Sequence, residues 1–382
     1  MSFSLYIHIP YCRSKCPYCD FNSHAAAVWP EQDYTRALIA ELERRAQEPP
    51  WAGERVATIF FGGGTPSLFA TPSIAEAIEA CERLYGIEAG AEISLEANPG
   101  TVDRAKLCGL RRAGVNRISF GAQSFKAETL KFLGRIHDAE QTRRSARLAF
   151  EAGFERLNLD LIFAVPGQTF EDLLRDLDEA AALKPDHISC YNLTFEEGTA
   201  FFAALRRGQI RPLAQSVEAR MYALVRRRMA ELGYTMYEIS NYARAGGQCR
   251  HNLAYWRAQS FLGVGAGAHS YARRGAGGRR WWNERAPAAY IEHALREGVA
   301  ESGGEVIDER TAAGEFVFLH LRLREGFAIA EFERRFGRGF EAFFGATPTR
   351  LFAGGLLVRE HGRVCLSERG LELADAVAAE FV

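Results

Sequence analysis

Six short β-rich runs recur along the first half of the chain, and an amphipathic stretch of helical period follows each one. The runs are SLYIHI, ATIFF, AEISLEAN, RISFGAQSF, RLNLDLIF and HISCYNL, with Gly114 and Gly153 marking the entry to two of them. Such regular alternation of strand and helix periods specifies βα units, and hence a parallel sheet with right-handed crossovers. Six units fall short of the eight of a closed barrel. The expected fold is therefore α/β, an open, partial (β/α)6 barrel wide enough at its mouth for a large ligand. Functional groups in such folds sit at the C-terminal ends of the strands. The cysteine loop after SLYIHI, the GGGTP segment, Glu96, Gln123, Asp160 and Asn192 all stand at or near those ends. They belong to six different strands and are expected to converge on one face.

The pattern changes after about Pro212. A long helical stretch over 216–232 leads to YTMYEIS and to a glycine-rich segment containing CRHNLAYW and FLGVGAGAHSY. From about Thr311 the chain reads as helices, then LLVREHGRVCLS as a hairpin, then a last helix from Gly370, an order that resembles a winged-helix module. The expected organisation is a partial barrel over 1–215, an extension of it over 216–305, and a smaller C-terminal helical, winged-helix-like domain over 306–382.

Composition excludes several classes. A formal net charge of −1 argues against bulk nucleic-acid binding and against a polybasic membrane anchor. Local basic runs, such as Arg226 to Arg228, read as solvated faces. No apolar run is long enough for a membrane-spanning helix, and MSFSLYIHIPYC lacks the marks of a signal peptide. The expected location is the cytoplasm, where eight cysteines are not a disulfide framework.

Three of those cysteines, Cys12, Cys16 and Cys19, fall within one short loop after a strand. A 4Fe–4S cluster is held by thiolates, and close spacing lets one loop wrap three corners of the cube. Three ligands leave one iron open to an outside chelator, and S-adenosylmethionine (SAM) supplies an amino and a carboxylate group for that place. Tyr18, between the second and third cysteines, can pack on an adenine face. A structural zinc site with His8 or His24 as fourth ligand is the competing reading, although zinc usually takes cysteines as two separated pairs. GGGTP is neither a P-loop nor G-x-G-x-x-G. Its glycines permit close backbone approach, and their N–H groups are expected to meet a ligand. In CRHNLAYW, His251 can ligate heme iron while Tyr255 and Trp256 stack on the porphyrin, with Cys249 as an alternative axial thiolate. The same residues also read as a helix start with core aromatics.

Taken in order, YIHIPYCRSKCPYCDF, FFGGGTPS, LEANPG, RISFGAQSF, LGRIHD, NLDLIFAVPGQT, YEISNYA, CRHNLAYW and LGVGAGAHSY resemble the radical SAM group of oxygen-independent coproporphyrinogen III dehydrogenases. The resemblance runs over essentially the whole chain and is closest to the heme-chaperone branch of that group. It implies SAM contacts at Tyr6, Gly63, Gly64, Thr65, Glu96, Gln123, Arg135 and Asp160, and a SAM or heme contact at His269. It also implies heme handling at the HNxxYW signature, here His251, Tyr255 and Trp256, with apo-hemoproteins as heme acceptors. A homodimer is left open.

Two departures separate this sequence from the dehydrogenase. That enzyme carries a further cysteine two residues after the third ligand, where this chain has Phe21. Its N-terminal substrate arm is not expected either, since Cys12 stands so near the start of the sequence. The expected function is thus a heme chaperone that binds a cluster, SAM and heme. Radical coproporphyrinogen dehydrogenation is the alternative. A winged-helix nucleic-acid binder would need a basic recognition helix, and LELADAVAAEF is acidic.

Overall fold

A computed structural model describes residues 2–382. The six expected strands form its centre: β1 (Ser2–Ile9), β2 (Arg55–Gly63), β3 (Ile87–Ala97), β4 (Arg117–Gln123), β5 (Arg156–Phe163) and β6 (His187–Asn192). They pair in parallel in chain order. Helices Glu31–Arg45, Thr71–Tyr85, Arg104–Arg112, Ala139–Glu151 and Phe170–Ala182 make the crossovers. Caps explain several of their starts: Asp103 accepts from Lys106 N–H, and Asp138 and Thr169 each close a capping box.

Alternation along the strands sorts the two faces. Leu5, Ile7, Ile59, Phe61, Leu95, Ile118, Phe120, Leu157, Leu159 and Ile188 are buried and pack against the helices. The opposite parity carries polar groups: Tyr6 and His8, Thr58, Glu92 and Glu96, Arg117 and Ser119, Asn158 and Asp160, His187 and Ser189. The barrel interior is thus a hydrogen-bonded polar space. Burying so many polar groups is tolerable because they partner one another.

The sheet is larger than the periodicity predicts. Beyond β6 lie β7 (Thr235–Glu238) and β8 (Asn241–Ala243), with β8 antiparallel to β6. On the other side β9 (Phe261–Val264) runs parallel to β1, followed by antiparallel β10 (His269–Arg274), β11 (Gly277–Asn283) and β12 (Glu301–Ile307). The order is β12-β11-β10-β9-β1-β2-β3-β4-β5-β6-β8-β7, and the two ends do not pair, so the barrel stays open.

The C-terminal part has its own core, rich in phenylalanine: Phe316, Phe327, Phe332, Phe336, Phe340 and Phe381. A small sheet of Phe327–Ala328, Arg363–Leu366 and Leu357–Glu360 stands beside short helices. The last helix begins earlier than the sequence predicts, at Glu368, because the Ser367 hydroxyl accepts from Gly370 N–H and caps it; Leu373 then divides it into Glu368–Glu372 and Ala374–Ala379. No helix among the described residues is long and apolar enough to cross a membrane.

Candidate cofactor and ligand cavity

The cysteine loop is fastened before any ligand is considered. Tyr11–Cys12 pairs in parallel with His24–Ala25 and closes the loop at its base. Lys15 Nζ donates to the carbonyls of Phe21 and Ser23, both at 3.0 Å. His8 Nε2 lies 2.8 Å from the Asn22 carbonyl, which can only accept, so this nitrogen carries the proton. His8 Nδ1 is then the acceptor for Tyr6 Oη at 3.0 Å. Both His8 nitrogens are therefore committed, and neither is free to be a fourth metal ligand. His24 is exposed.

Each of the three sulfurs has a different polar neighbour. Thr65 Oγ1 donates to Cys12 Sγ at 3.3 Å, Arg135 Nη1 to Cys16 Sγ at 3.4 Å, and Cys19 Sγ lies 3.7 Å from Ser23 Oγ. Among the described residues no three His, Cys, Asp or Glu side chains converge on a single-ion point. The three thiols share one cavity wall, and thiolates are the ligands that hold a 4Fe–4S cluster. Arg135 also donates to the Gly121 carbonyl at 2.9 Å and to Asn98 Oδ1. Its positive charge stands beside the Cys16 sulfur. Asn98 links Arg135 to Thr65, donating to Thr65 Oγ1 at 2.9 Å.

The GGGTP segment does a different job from the one expected. Gly64 N–H donates to Ile9 O at 2.8 Å, Thr65 N–H to Tyr11 O at 2.9 Å, and Gly63 N–H to Glu96 Oε2 at 3.2 Å. These donors are spent within the protein, so they cannot greet a ligand. The glycines serve close approach: a Cβ on Gly64 would stand 2.7 Å from Tyr11 O, and Gly63 has φ +110° with the His8 ring against it. The segment is the seat on which the cysteine loop rests.

Above the loop opens a cavity of about 1100 Å³. The structure brings Cys12, Cys16, Tyr18, Cys19, Gly63, Gly64, Thr65, Glu96, Gln123, Arg135, Asp160 and Asn192 to its wall, as convergence at strand ends requires. Gln123 takes φ +64°, an uncommon conformation for a non-glycine residue and of the kind that gathers at ligand sites. Exposed Phe21 stands at the rim, and the far wall comes from Tyr222, Ile239, Arg322 and the 371–376 segment.

Two half-buried carboxylates face this cavity. Burial, with Asp160 nearby, pushes the Glu96 carboxyl up to about 8, and Gly63 N–H only partly opposes this. Asp160 is also raised by burial, against hydrogen bonds from Ser119 Oγ at 2.9 Å and Asn158 Nδ2 at 2.8 Å. A chain runs on from there: His187 Nδ1 to Asn158 Oδ1 at 2.6 Å, and His187 Nε2 to Tyr237 Oη at 2.8 Å. Such a pair of acids suits a cationic ligand, whose charge would favour their ionised forms. The ammonium and sulfonium of SAM are cations of that kind.

The remaining sequence candidates lie elsewhere. Helix α1 (Arg250–Trp256) plugs the N-terminal end of the barrel, capped by Glu92, which accepts from the N–H groups of Arg250 and His251, each at 3.1 Å. His251 is buried, with Nδ1 2.8 Å from Thr58 Oγ1 and Nε2 2.9 Å from Tyr255 Oη, and its ring stacks on Phe60. Burial lowers its pKa to about 3, so the ring is neutral. The buried Cys249 thiol donates to Glu92 Oε1 at 3.4 Å. Trp256 packs with Tyr237, Leu253 and Leu323. Tyr6 lies below the cavity, near His251. His269 is exposed at the start of β10, facing Trp282. None of His251, Tyr255, Trp256, Tyr6 or His269 reaches the cavity wall. Helix packing wins over ligand presentation in α1 because its histidine and tyrosine satisfy each other inside the barrel.

Asn98, Ser119, Asn158 and His187 were not singled out in the sequence. Asn98 lies within LEANPG, and strand parity with Asp160 and Ser189 would have found Asn158 and His187.

Known proteins identify the family and the fold. The Radical SAM superfamily model matches residues 6–180, and the HemN C-terminal domain model matches 307–373. The chain is 36% identical over 379 residues to the heme chaperone HemW of Mycobacterium tuberculosis, covering 98% of this chain and 93% of that one. It is 34% identical over 380 residues to HemW of Bacillus subtilis, covering 99% of each. The solved structure of the coproporphyrinogen III oxidase HemN from Escherichia coli, a radical SAM enzyme, superposes with a TM-score of 0.84 at 24% identity, covering all of this chain and 90% of that one. At that identity the likeness establishes the fold.

Proposed function

Because this chain belongs to the HemW family of radical SAM proteins, we propose that it is a heme chaperone, which holds heme in the cavity above its cysteine loop and passes it to apo-hemoproteins in the cytoplasm. The observation that carries this reading is the extent of the cavity. At about 1100 Å³ it exceeds what one small ligand fills, and it runs from the cysteine loop to the C-terminal unit. SAM fits the cysteine end and a tetrapyrrole the remainder.

In this reading Cys12, Cys16 and Cys19 hold a 4Fe–4S cluster, which when bound supplies an open iron for the amino and carboxylate groups of SAM. Glu96 and Asp160 take the cationic part of SAM. Ser119 and Asn158 keep Asp160 aimed, and Arg135 holds Cys16 while Asn98 fixes Arg135. Tyr18 offers a face to adenine. Phe21 and Tyr191, both exposed large apolar side chains of this wall, offer contact to a porphyrin face. His251, Tyr255 and Trp256 serve as the floor of the barrel.

Anaerobic reconstitution followed by two assays tests the reading. Heme should bind stoichiometrically and then appear in a heme-free acceptor protein. Coproporphyrinogen with SAM and reductant should remain unconverted. Absence of heme binding, or robust formation of protoporphyrinogen, would overturn it.

A further inference from the structure

Only Lys15, Arg135 and Arg322 are cationic among the described residues of the cavity wall. Lys15 is tied to two carbonyls, and Arg135 to Cys16, Asn98 and Gly121. Arg322 differs. It ends helix α2 (Glu309–Arg322), and its side chain is 21% exposed. It makes two long ion pairs: Nη2 lies 3.5 Å from Glu238 Oε2, and Nη1 lies 3.9 Å from Asp375 Oδ1. Buried Arg322 Nε and Glu238 Oε2 both lack a hydrogen-bond partner. A guanidinium carries five donors, so this one holds donor capacity that the protein does not use.

The group is nevertheless fixed. Its guanidinium sits 4.5 Å above the Trp256 ring, a cation–π stack. Its backbone is stitched to the barrel: Ile239 N–H donates to Arg322 O at 3.1 Å, Arg324 N–H to Tyr237 O at 2.9 Å, and Glu238 bridges Leu323. Glu238 is wholly buried on the inner side, while Asp375 is 91% exposed at the rim. The Nη1 side therefore faces the cavity, and the anion nearest to it is a solvated one that holds it only weakly.

Building on the chaperone reading, we propose that Arg322 receives a propionate carboxylate of the heme, with Trp256 as its positioning platform and Asp375 as a competing anion that the propionate displaces. A planar fork meeting a carboxylate is the geometry in which arginine binds most strongly. The proposal gives Trp256 a part in heme binding without contact to heme: it aims the residue that makes the contact.

The test is a Soret titration of the full, reconstituted chain with hemin and with hemin dimethyl ester, which lacks free carboxylates. Arg322→Ala should weaken hemin roughly ten- to hundredfold and leave the ester within about twofold. Arg322→Lys should retain part of the preference, Asp375→Asn should tighten hemin, and Trp256→Leu should weaken hemin selectively. Wild type binding both porphyrins equally, or Arg322→Ala losing both alike, would overturn the proposal while leaving the chaperone reading intact. Wild type binding neither porphyrin would overturn the chaperone reading itself, and this proposal with it.

Discussion

Glu96 Oε2 accepts the backbone N–H of Gly63 at 3.2 Å, so the carboxylate on the penultimate residue of β3 is held by the residue that ends β2. One neutral donor is little support for a charge partly withdrawn from water and close to Asp160, which is why the carboxyl rises to about 8. Its folded value lies above its unfolded value, so the folded state binds the extra proton. Stability from this group is present at low pH and is lost as pH rises from about 4.5 towards 8. Glu96→Gln should therefore stabilise the ligand-free protein above pH 8 and remove that part of the pH dependence in thermal melts. SAM affinity in the wild type should rise across the same window, because a cationic ligand wants the ionised form. A flat SAM profile, or unchanged affinity in Glu96→Gln, would count against the acid's role.

Cluster ligation is predicted for three cysteines alone. Cys12→Ser, Cys16→Ser and Cys19→Ser should each lose the cluster's visible absorbance after anaerobic reconstitution. Cys81, Cys108, Cys190 and Cys365 should be replaceable by Ala with iron and sulfide content unchanged. Stoichiometric zinc without sulfide in the wild type would refute the assignment.

Gly63→Ala places a Cβ against the His8 ring at φ +110°, where alanine is strained as well as crowded. A cost of about 2–4 kcal/mol is expected, read as a lower midpoint in urea. Because His8 holds Asn22, the cysteine loop should loosen too, with slower cluster uptake.

His251→Ala removes a ring that fills the barrel floor between Phe60 and Tyr255. It should cost about 2–4 kcal/mol in folding free energy. The absorption maximum of bound heme should stay where it is in wild type, since the imidazole does not reach the cavity. A shifted Soret band would instead show that α1 opens to deliver a ligand.

The legible parts of this molecule were those encoded locally. Strand and helix periods disclose six βα units, and the C-x3-C-x2-C spacing discloses a wrapped loop, because both are short-range constraints. Glu96 and Asp160 could be placed at strand ends by counting. What escaped depends on distant partners. β9 is four residues inside a glycine-rich run, and it becomes a parallel neighbour of β1 only through closure across the chain. Arg322, in HLRLREG, reads as an ordinary surface charge, and only tertiary packing sets it over Trp256. The HNxxYW segment was legible both as a ligand and as a helix start. The choice fell to Thr58 and Glu92, which lie far away in sequence and occupy its polar groups.

The fastening of the cysteine loop bears on how the protein lives with oxygen. Lys15, His8 and the strand pair at its base hold the loop's shape with protein groups alone, and Asn22 anchors it further through Ala266 O and Arg285 O, both at 2.9 Å. Many small metal sites collapse once emptied, because the ion was the fold's main support. The loop proposed to hold the cluster should therefore keep its shape when oxidation removes it. Added iron and sulfide should then restore the cluster without refolding of the chain.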